Sequence, residues 1–447
     1  MTTNEDFVAT LRIIPRRFAG RGARCGLNEL LYIDSALDRA AKRRFEHLGH
    51  ADIVIGLPTY KNTRTIAHVL NALAAGVVEH FPDKRAHIVV ADGGSTDDTL
   101  AIAGGVALPS SVTLSTLQYQ GLTGKGSAIR AIMEAAAMLT ASACAVVDAD
   151  VRSINPTWIE RLVGPILAGE AEYVSPIYTR DRHEVTINDM IAYPFTRMLY
   201  GVDLRQPLGS EIAMSPRAWQ TFLDKDVWET DVARFGIHMW MVTLAINSGW
   251  RLYQAPLGTK THDYKDPTVG FEPKFMQVTG TLFRLMSFYR RVWPDVKGAY
   301  RVPVWGTLTQ LPPEPIPTTR QTLWDGFLKG LKRYRRNLSA ILSEEQQAVV
   351  AELSTSDQPR FPPDAWARIV MDFAVVYNRG EGDPDKVALS LLPLYYARKA
   401  SLLQELEGQP WTAVEEAIAR QADMFLTNKP YLYQRWSSYM PWQSAIG

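Results

Sequence analysis

Two aspartates separated by a single residue follow an apolar run in the segment CAVVDADVRSINP, residues 144–156. Like charges this close repel each other unless a positive group lies beside them. Alternation along an extended chain would place the carboxylates of Asp148 and Asp150 on one side. Hard cations such as Mg²⁺ or Mn²⁺ take carboxylate oxygens and substrate phosphates as ligands. The pair therefore indicates a divalent cation held against a nucleotide diphosphate, although an isolated Asp-x-Asp is more often an ordinary acidic turn.

Three further clusters carry residues suited to a phosphate or a metal. Asp92 precedes two glycines that let the backbone approach a ligand, and its carboxylate can accept from a base or ribose. Lys125 lies between glycines at the start of a predicted helix, where exposed N–H groups suit phosphate. His262 follows an apolar run and could complete a metal site as a neutral imidazole. Taken singly, the first has a helix-capping turn as its less favoured alternative, the second is as well explained by an exposed lysine, and a lone histidine is more often structural.

Strand and helix patterns alternate between residues 51 and 150, and this alternation positions the clusters. The segments ADIVIGLPTY, RAHIVVAD, VTLSTLQY and ACAVVDAD have the apolar, β-branched character of buried strands, and helical patterns separate them. This order predicts an α/β fold with a mainly parallel sheet flanked by helices. Ligands collect at the carboxyl ends of strands in such sheets, and the polar clusters fall there.

Helical patterns dominate the two ends of the 447-residue chain. We predict an N-terminal helical extension over residues 1–50, a catalytic domain over 51–270 and a mostly helical C-terminal domain over 271–447. A proline-rich connector, LPPEPIPTT, lies within the last of these.

Composition excludes several classes of protein. A net charge of +1 provides no bulk field that would recruit nucleic acid or an anionic membrane. Two cysteines cannot build a disulfide framework, and we expect Cys25 and Cys144 to be reduced. We find neither a signal-peptide pattern nor an apolar run of membrane-spanning length, and therefore expect a cytoplasmic protein.

In combination, the motifs of roughly residues 50–270 resemble those of GT-A glycosyltransferases that use a nucleotide-sugar donor. The likeness is greatest to the glucosyl-3-phosphoglycerate, glucosylglycerate and mannosylglycerate synthases. The motifs that carry it are LPTYKN, ADGGSTD, GKGSAI, DADVRSINP, LVGPIL, SPIYTR, QPLGSE and THDY. The resemblance implies a Rossmann-like GT-A fold and a divalent cation, Mg²⁺ or Mn²⁺.

The resemblance also implies roles for the matching positions. The residues expected to bind the donor are Leu57, Pro58, Thr59, Asn62, Asp92, Gly93, Lys125, Asp148, Ala149, Gly209 and Glu211. The acceptor acid is expected at Arg180, Thr186, His238 and Tyr264, and the cation at Asp148, Asp150 and His262. The residues expected to take part in catalysis are Lys125, Leu208 and Glu211, with Lys125 stabilising the leaving diphosphate and Glu211 binding a sugar hydroxyl.

The implied activity is a retaining transfer of glucose, or else mannose, from a GDP-, UDP- or ADP-linked donor to D-glycerate. The product would be a compatible solute. Where the phosphoglycerate enzymes have a glycine-rich acceptor loop, this chain has RDRHEVT, and Tyr264 stands where an asparagine usually follows the histidine. Both changes favour free glycerate over 3-phosphoglycerate. Lys61-Asn62 replaces an acidic pair of the relatives, so the donor base stays open.

Other functions remain open at this point. The same transfer to 3-phosphoglycerate is one, and an inverting transfer to a lipid or polysaccharide is another, although such enzymes need an aspartate base and usually membrane helices. A non-catalytic nucleotide-sugar scaffold is the third. A sugar-phosphate nucleotidyltransferase is disfavoured because GLPTYKN is not a glycine- and arginine-rich loop. We expect a homodimer or a higher homo-oligomer.

Overall fold

A computed structural model gives the structure of the protein and describes residues 35–263, 270–308, 312–317, 320–355 and 360–440. The predicted N-terminal extension lies partly outside these residues. Its described part contains helix α1 (Arg39–Leu48), which begins at the cap residue Asp38, whose side chain accepts from the amide of Ala41.

The described residues form nine strands. They are β1 (Ile53–Thr59), β2 (Ala86–Asp92), β3 (Val112–Gln118), β4 (Ala143–Val146), β5 (Tyr173–Thr179), β6 (Val202–Asp203), β7 (Ile212–Met214), β8 (Leu252–Thr259) and β9 (Tyr300–Arg301). Seven of them make one sheet in the order β3-β2-β1-β4-β7-β5-β8, and β6 pairs with β9. Within the seven-stranded sheet β7 runs antiparallel to its neighbours β4 and β5, and the other pairs are parallel. The predicted mainly parallel α/β sheet is confirmed.

Helices cover both faces of this sheet. In chain order they are α2 (Ile66–His80), α3 (Thr99–Gly104), α4 (Lys125–Met138), α5 (Thr157–Leu167), α6 (Tyr193–Tyr200), α7 (Pro216–Leu223) and α8 (Ile237–Asn247). On one face Leu70 of α2 and Leu162 of α5 share an apolar cluster with Ile55 of β1. On the other face Ile132 of α4 packs in a second cluster with Val54. Alternate residues of β1 thus point to opposite layers, as expected of a sheet buried on both faces.

The C-terminal region is helical, as predicted. Its helices are α9 (Glu272–Phe288), α10 (Arg320–Arg333), α11 (Arg335–Ile341), α12 (Glu344–Thr355), α13 (Pro363–Arg379), α14 (Pro384–Glu405), α15 (Ala413–Thr427) and α16 (Lys429–Ser438). Their apolar side chains continue the cluster that covers the α4 face of the sheet, and Phe373 and Leu391 belong to it. The domain boundary near residue 270 stays a prediction.

Two further sequence expectations concern the thiols and the membrane. Cys144 is a buried free cysteine, and burial raises the pKa of its thiol to about 12, whereas Cys25 lies outside the described residues. In the part of the chain that the structure describes, no helix is both long enough and apolar enough to cross a bilayer.

Candidate functional site

A cavity of about 1050 Å³ opens at the carboxyl ends of the parallel strands. Loops that follow β1, β2, β4, β5 and β8 form one side of it. The other side comes from the helical region, through α9, α14 and the connector residues 313–317. The sheet and the helical region therefore enclose one space between them.

Most of the predicted site residues line this cavity. They are Pro58, Thr59, Asn62, Gly93, Lys125, Asp148, Ala149, Asp150, Arg180, Thr186, Leu208, His238 and His262. Four others, Leu57, Asp92, Gly209 and Glu211, do not line it. Tyr264 lies outside the described residues.

Four charged side chains form a cluster on the cavity floor. The Lys125 ammonium donates to Oδ1 of Asp148. The Lys260 ammonium donates to Oδ2 of Asp148 at 3.2 Å and to both carboxylate oxygens of Glu211 at 2.7 and 2.8 Å. Lys260 is only 3% exposed and Glu211 is fully buried. Two lysines and two carboxylates thus neutralise one another, and the pair of Lys260 and Glu211 is buried.

The electrostatics of this cluster favour the charged forms of Asp148 and Lys260. Burial alone would raise the pKa of Asp148, but the charges of Lys125 and Lys260 outweigh it and hold the pKa well below its usual range. Burial would likewise lower the pKa of Lys260, yet Glu211 and Asp148 raise it above its usual value. The positive groups that a crowded Asp-x-Asp requires are therefore supplied, at Asp148, by the protein itself.

Lys260 was not among the predicted site residues. It lies one residue beyond the end of β8, two residues before His262. A charged residue at the carboxyl end of an otherwise apolar strand was the available signal, since ligand sites concentrate there. The pairing with Glu211 could not be inferred, because 49 residues separate the two.

Glu211 takes a position different from the one expected. Both of its carboxylate oxygens accept from Lys260, and its backbone amide faces the Tyr178 hydroxyl at 3.4 Å. It has no exposed surface and does not line the cavity, and its contact with a sugar hydroxyl stays a prediction. Its place behind Lys260 makes it a positioning residue for that lysine.

Asp92 and Leu57 also lie behind the cavity wall. Asp92 accepts from the amides of Gly94 and Ser95 and from the Ser95 hydroxyl, so its carboxylate shapes the glycine turn. Ser95 in turn accepts from the amide of Lys61, whose φ of 56° is left-handed. Leu57 is a fully buried core residue of β1. These positions support the loops that would meet a donor.

Close backbone packing explains two of the motif glycines. A Cβ on Gly126 would lie 1.9 Å from the Val232 carbonyl oxygen, so only glycine lets the start of α4 pack against the turn at residues 231–233. A Cβ on Gly209 would lie 2.4 Å from the ring of Pro176. The first contact fixes where Lys125 enters the cavity, and the second fixes the loop that carries Leu208.

Asp150 and His262 come together through the backbone. β4 ends at Val146, and residues 149–150 form a turn rather than the extended chain we expected. After the turn, Val151 pairs with His262 as an isolated antiparallel bridge. Nε2 of His262 lies 2.9 Å from a carboxylate oxygen of Glu184. Among the described residues no group of three or more His, Cys, Asp or Glu side chains is arranged to hold a metal.

The segment from Arg180 to Asp189 forms the wall next to the helical region. Arg180 lies 3.6 Å from Glu184 and over the ring of Tyr178. Thr186 donates to Asp189 from its amide and its hydroxyl, at 2.8 and 3.1 Å. Residues 188–192 are π-helical, a wide turn that recurs at functional sites. Asn188 in this turn accepts from the amide of Leu208, which ties the two predicted loops together.

His238 on α8 has the most informative environment of the predicted acceptor residues. It is 6% exposed and lines the cavity, and neither of its ring nitrogens has a hydrogen-bond partner among the residues that the structure describes. Burial and the nearby charge of Lys125 hold its pKa well below the usual range, so the imidazole is neutral. Buried polar atoms are nearly always satisfied in folded proteins. An unpaired imidazole at a cavity wall therefore points to a ligand that completes it.

Residues 54–228 match the sequence profile of the family described as glycosyl transferase family 2. This segment contains the loops after β1, β2, β4 and β5, which form most of the sheet side of the cavity. The match confirms the predicted resemblance to glycosyltransferases for this part of the chain. No protein of curated function matches the chain significantly.

Several solved structures resemble the chain in part. Glucosyl-3-phosphoglycerate synthase from Mycobacterium tuberculosis, in complex with Mn²⁺, uridine diphosphate and phosphoglyceric acid, is 18% identical with a TM-score of 0.41, over 55% of this chain and 82% of that one. The same synthase with Mg²⁺ and uridine diphosphate is 19% identical with a TM-score of 0.41, over 55% and 83%. A structure described as a mycobacterial protein is 20% identical with a TM-score of 0.41, over 55% and 78%. Likenesses this low carry no argument about activity.

Proposed function

We propose that the chain is a metal-assisted, retaining glycosyltransferase that moves a hexose, glucose before mannose, from a nucleotide sugar to D-glycerate. The observation that carries the proposal is the pairing of Lys125 with Asp148 on the floor of a large cavity, inside the segment that matches glycosyl transferase family 2. The cavity volume of about 1050 Å³ is at the upper end of the range for small-molecule sites. It therefore has room for a nucleotide sugar and a small acceptor together.

Lys125 is the residue best placed to stabilise the leaving group. Its ammonium lies at the start of α4, and the exposed N–H groups of a helix start also favour phosphate oxygens. As the bond between the sugar carbon and the diphosphate oxygen breaks, negative charge builds up on that oxygen. A fixed positive group in a poorly solvated site stabilises this charge more than water does.

A front-face transfer fits the carboxylates of the charge cluster. Asp148 is held by Lys125 and Lys260, and Glu211 is enclosed behind Lys260, so neither is free to attack the sugar as a covalent nucleophile. The acceptor hydroxyl would add to the face that the diphosphate leaves and pass its proton to the departing diphosphate oxygen. His238, neutral and unpaired, would hydrogen-bond a hydroxyl of the sugar or of the acceptor.

The residues that fit a divalent cation are Asp150 and His262. Both line the cavity, and the bridge between Val151 and His262 sets them on neighbouring backbone segments. The Asp148 carboxylate is already paired with two ammonium groups, so two side chains and the donor phosphates would make up the ligand set. Mg²⁺ is commonly bound in this way, by one or two carboxylates and substrate phosphates. When bound, Mg²⁺ or Mn²⁺ would neutralise diphosphate charge as a Lewis acid.

The acceptor site would lie between Arg180, Thr186 and the helical region. Arg180 and Thr186 both line the cavity, and a guanidinium suits a carboxylate. The RDRHEVT segment supplies side chains where a glycine-rich loop would leave room for a phosphate. This supports free glycerate as the acceptor.

A matrix of donors and acceptors tests the proposal. Release of nucleoside diphosphate would be measured with UDP-, GDP- and ADP-glucose and with GDP-mannose, against D-glycerate, 3-phosphoglycerate and no acceptor, each with and without Mg²⁺. We expect release to depend on both D-glycerate and Mg²⁺ with at least one donor. Release that no acid acceptor accelerates, with any of these donors, would sink the acceptor assignment.

A further inference from the structure

A buried lysine lines the cavity from the helical side, in a part of the chain to which no motif assigned a role. Lys399 lies on α14 and is 4% exposed. No hydrogen bond or ion pair joins its ammonium to any residue that the structure describes. Taking a charged ammonium out of water costs several kcal/mol unless a counterion compensates. A buried and unpaired lysine at a cavity wall therefore calls for an anion from outside the protein.

The nearest acidic groups do not supply that counterion. Glu184 and Asp189 act on Lys399 from a distance and favour its charged form, but burial outweighs them and lowers its pKa to about 8. Asp189 is already bound by Arg205 at 2.8 Å. Glu184 is already paired with the Arg180 guanidinium, 3.6 Å away. Among the described residues, the positive charge on Lys399 therefore has no carboxylate partner of its own.

The segment that carries the predicted acceptor residues is fastened to the same part of the helical region. Arg182 donates to the carbonyl oxygens of Leu406 and Gln409, just beyond α14. Arg205, which binds Asp189, also makes a two-point contact with Glu415 of α15. These contacts fasten the 180–189 segment to the end of α14 and to α15, and Lys399 lines the same cavity as Arg180 and Thr186.

We propose that Lys399 binds the acid group of the acceptor, so that the helical region completes the acceptor subsite. The ammonium would donate to an oxygen of a small carboxylate, with Arg180 contacting the same ligand from the sheet side. This assigns to α14 a direct part in acceptor recognition. The proposal rests on the proposed function and specifies where its acid acceptor binds.

The test removes the charge of Lys399 and keeps the approximate length and volume of its side chain. Lys399→Met should raise KM for D-glycerate by about 10- to 100-fold, the range expected when a hydrogen bond to a charged group is lost. KM for the donor should not change. The melting temperature should hold or rise, because methionine removes a buried charge without leaving a void. Lys399→Arg, which keeps the charge, should recover part of the affinity.

Two controls separate charge from packing. Lys386→Met removes an exposed lysine of the same helix, whose side chain is 73% exposed, and should leave KM unchanged. Glycerol, tested as a weak neutral acceptor, should be used equally by the wild type and by Lys399→Met. An equal loss with glycerol and with D-glycerate would overturn the proposal. So would an unchanged KM for D-glycerate.

A direct measurement of acid binding tests the role of Lys399 even if the protein shows no transferase activity. If the wild type transfers sugar to no acid, the proposed function fails, and calorimetry with D-glycerate and with glycerol 3-phosphate in the presence of nucleoside diphosphate still addresses Lys399. Binding of D-glycerate that weakens at least about tenfold in Lys399→Met supports the anion site. Binding that is equal in the two proteins, or absent from the wild type, overturns it. A loss confined to glycerol 3-phosphate would overturn the carboxylate assignment in favour of a phosphate.

Discussion

The cavity contains two buried lysines in opposite situations, one from the sheet and one from the helical region. Lys260 is 3% exposed and has three carboxylate oxygens within 3.2 Å. Lys399 is 4% exposed and has none among the residues that the structure describes. The pKa is raised for Lys260 by Glu211 and Asp148 against the effect of burial, whereas burial lowers it to about 8 for Lys399. Equal burial thus leaves one lysine satisfied and the other dependent on a ligand.

The difference indicates a division of labour between the two regions. At the sheet edge the lysines and carboxylates pair with one another, so their positions do not depend on a bound ligand. Charges that are fixed in place in this way stabilise a transition state. The helical wall contributes Lys399, whose charge no described carboxylate pairs with, and such a charge favours an anionic ligand over a neutral one. The predictions below act on one region at a time.

The largest effect is expected from removing the satisfied lysine. Lys260→Met would leave Glu211 and Asp148 close together without their shared partner, and breaking a buried ion pair from one side costs about 3–5 kcal/mol. Urea denaturation should show a loss of this size in the free energy of unfolding. Lys84→Met, at an exposed lysine 3.8 Å from Asp52, should lose less than about 1 kcal/mol. A Lys260→Met protein as stable as this control would remove the central role of the buried cluster.

The next largest effect is expected on the catalytic rate, with a smaller effect on stability, when Lys125 is replaced. Lys125→Met should lower kcat by roughly 10²- to 10³-fold, as is usual when one group that stabilises developing charge is lost. The melting temperature should fall less than for Lys260→Met, because Asp148 keeps Lys260 as a partner. Lys125→Arg serves as the matched control that retains the charge. A kcat within twofold of the wild type would show that Lys125 does not contact the leaving group.

The proposed cation site predicts an intermediate effect. Asp150→Asn should weaken Mg²⁺ binding in the presence of nucleoside diphosphate by about 10-fold or more, since a neutral amide is a poorer ligand for a hard cation. Calorimetric titration of Mg²⁺ measures this, with Asp83→Asn, an exposed acid away from the cavity, as control. Equal Mg²⁺ affinity in the variant and the control would exclude Asp150 from the site.

The smallest effect is expected in the pH dependence of KM for D-glycerate, through the titration of Lys399 on the helical wall. The charges that act on Lys399 are those of Asp189 and Glu184, whereas burial lowers the pKa of the nearby His183, which is neutral from pH 7 to pH 9. Since the lysine pKa is lowered to about 8, the ammonium loses its proton as the pH rises through that value, and anion binding weakens. KM for D-glycerate should therefore rise several-fold from pH 7 to pH 9 in the wild type. Lys399→Arg should show a flatter profile, because arginine stays charged.

Much of the sheet side could be predicted from the sequence. Strands β1, β2 and β4 are apolar and β-branched, and each leads into a polar loop, so Thr59, Gly93 and Asp148 had to meet at one edge. The short antiparallel β7 could not be foreseen, because three residues are too few to show a period. The turn after β4 likewise depends on a contact far away in the sequence, between the Thr65 hydroxyl and the Ala149 carbonyl oxygen.

The buried charges were beyond sequence reasoning for a physical reason. The sequence does not record whether a lysine is exposed or buried, and most lysines in folded proteins are exposed. The role of Lys260 is visible only once the structure places Glu211 beside it. The role of Lys399 is visible only once the structure shows that none of the described carboxylates is paired with it. Glu211 was expected to contact a sugar from its motif alone, yet its burial follows from the fold around Tyr178. The burial of these side chains and the pairs that they form depend on the tertiary structure, so the spacing of residues along the chain does not predict them.

The most direct test of the account is identification of the product. The chain would be incubated with the donor that gives the fastest diphosphate release, Mg²⁺, and D-glycerate mixed with 3-phosphoglycerate, and the products would be analysed by mass spectrometry. We predict a hexosyl-glycerate made by the wild type, far less of it with Lys399→Met, and almost none with Lys125→Met. Free hexose as the sole product, in equal amounts with and without the acids, would contradict the claim that this cavity transfers sugar to an acid acceptor.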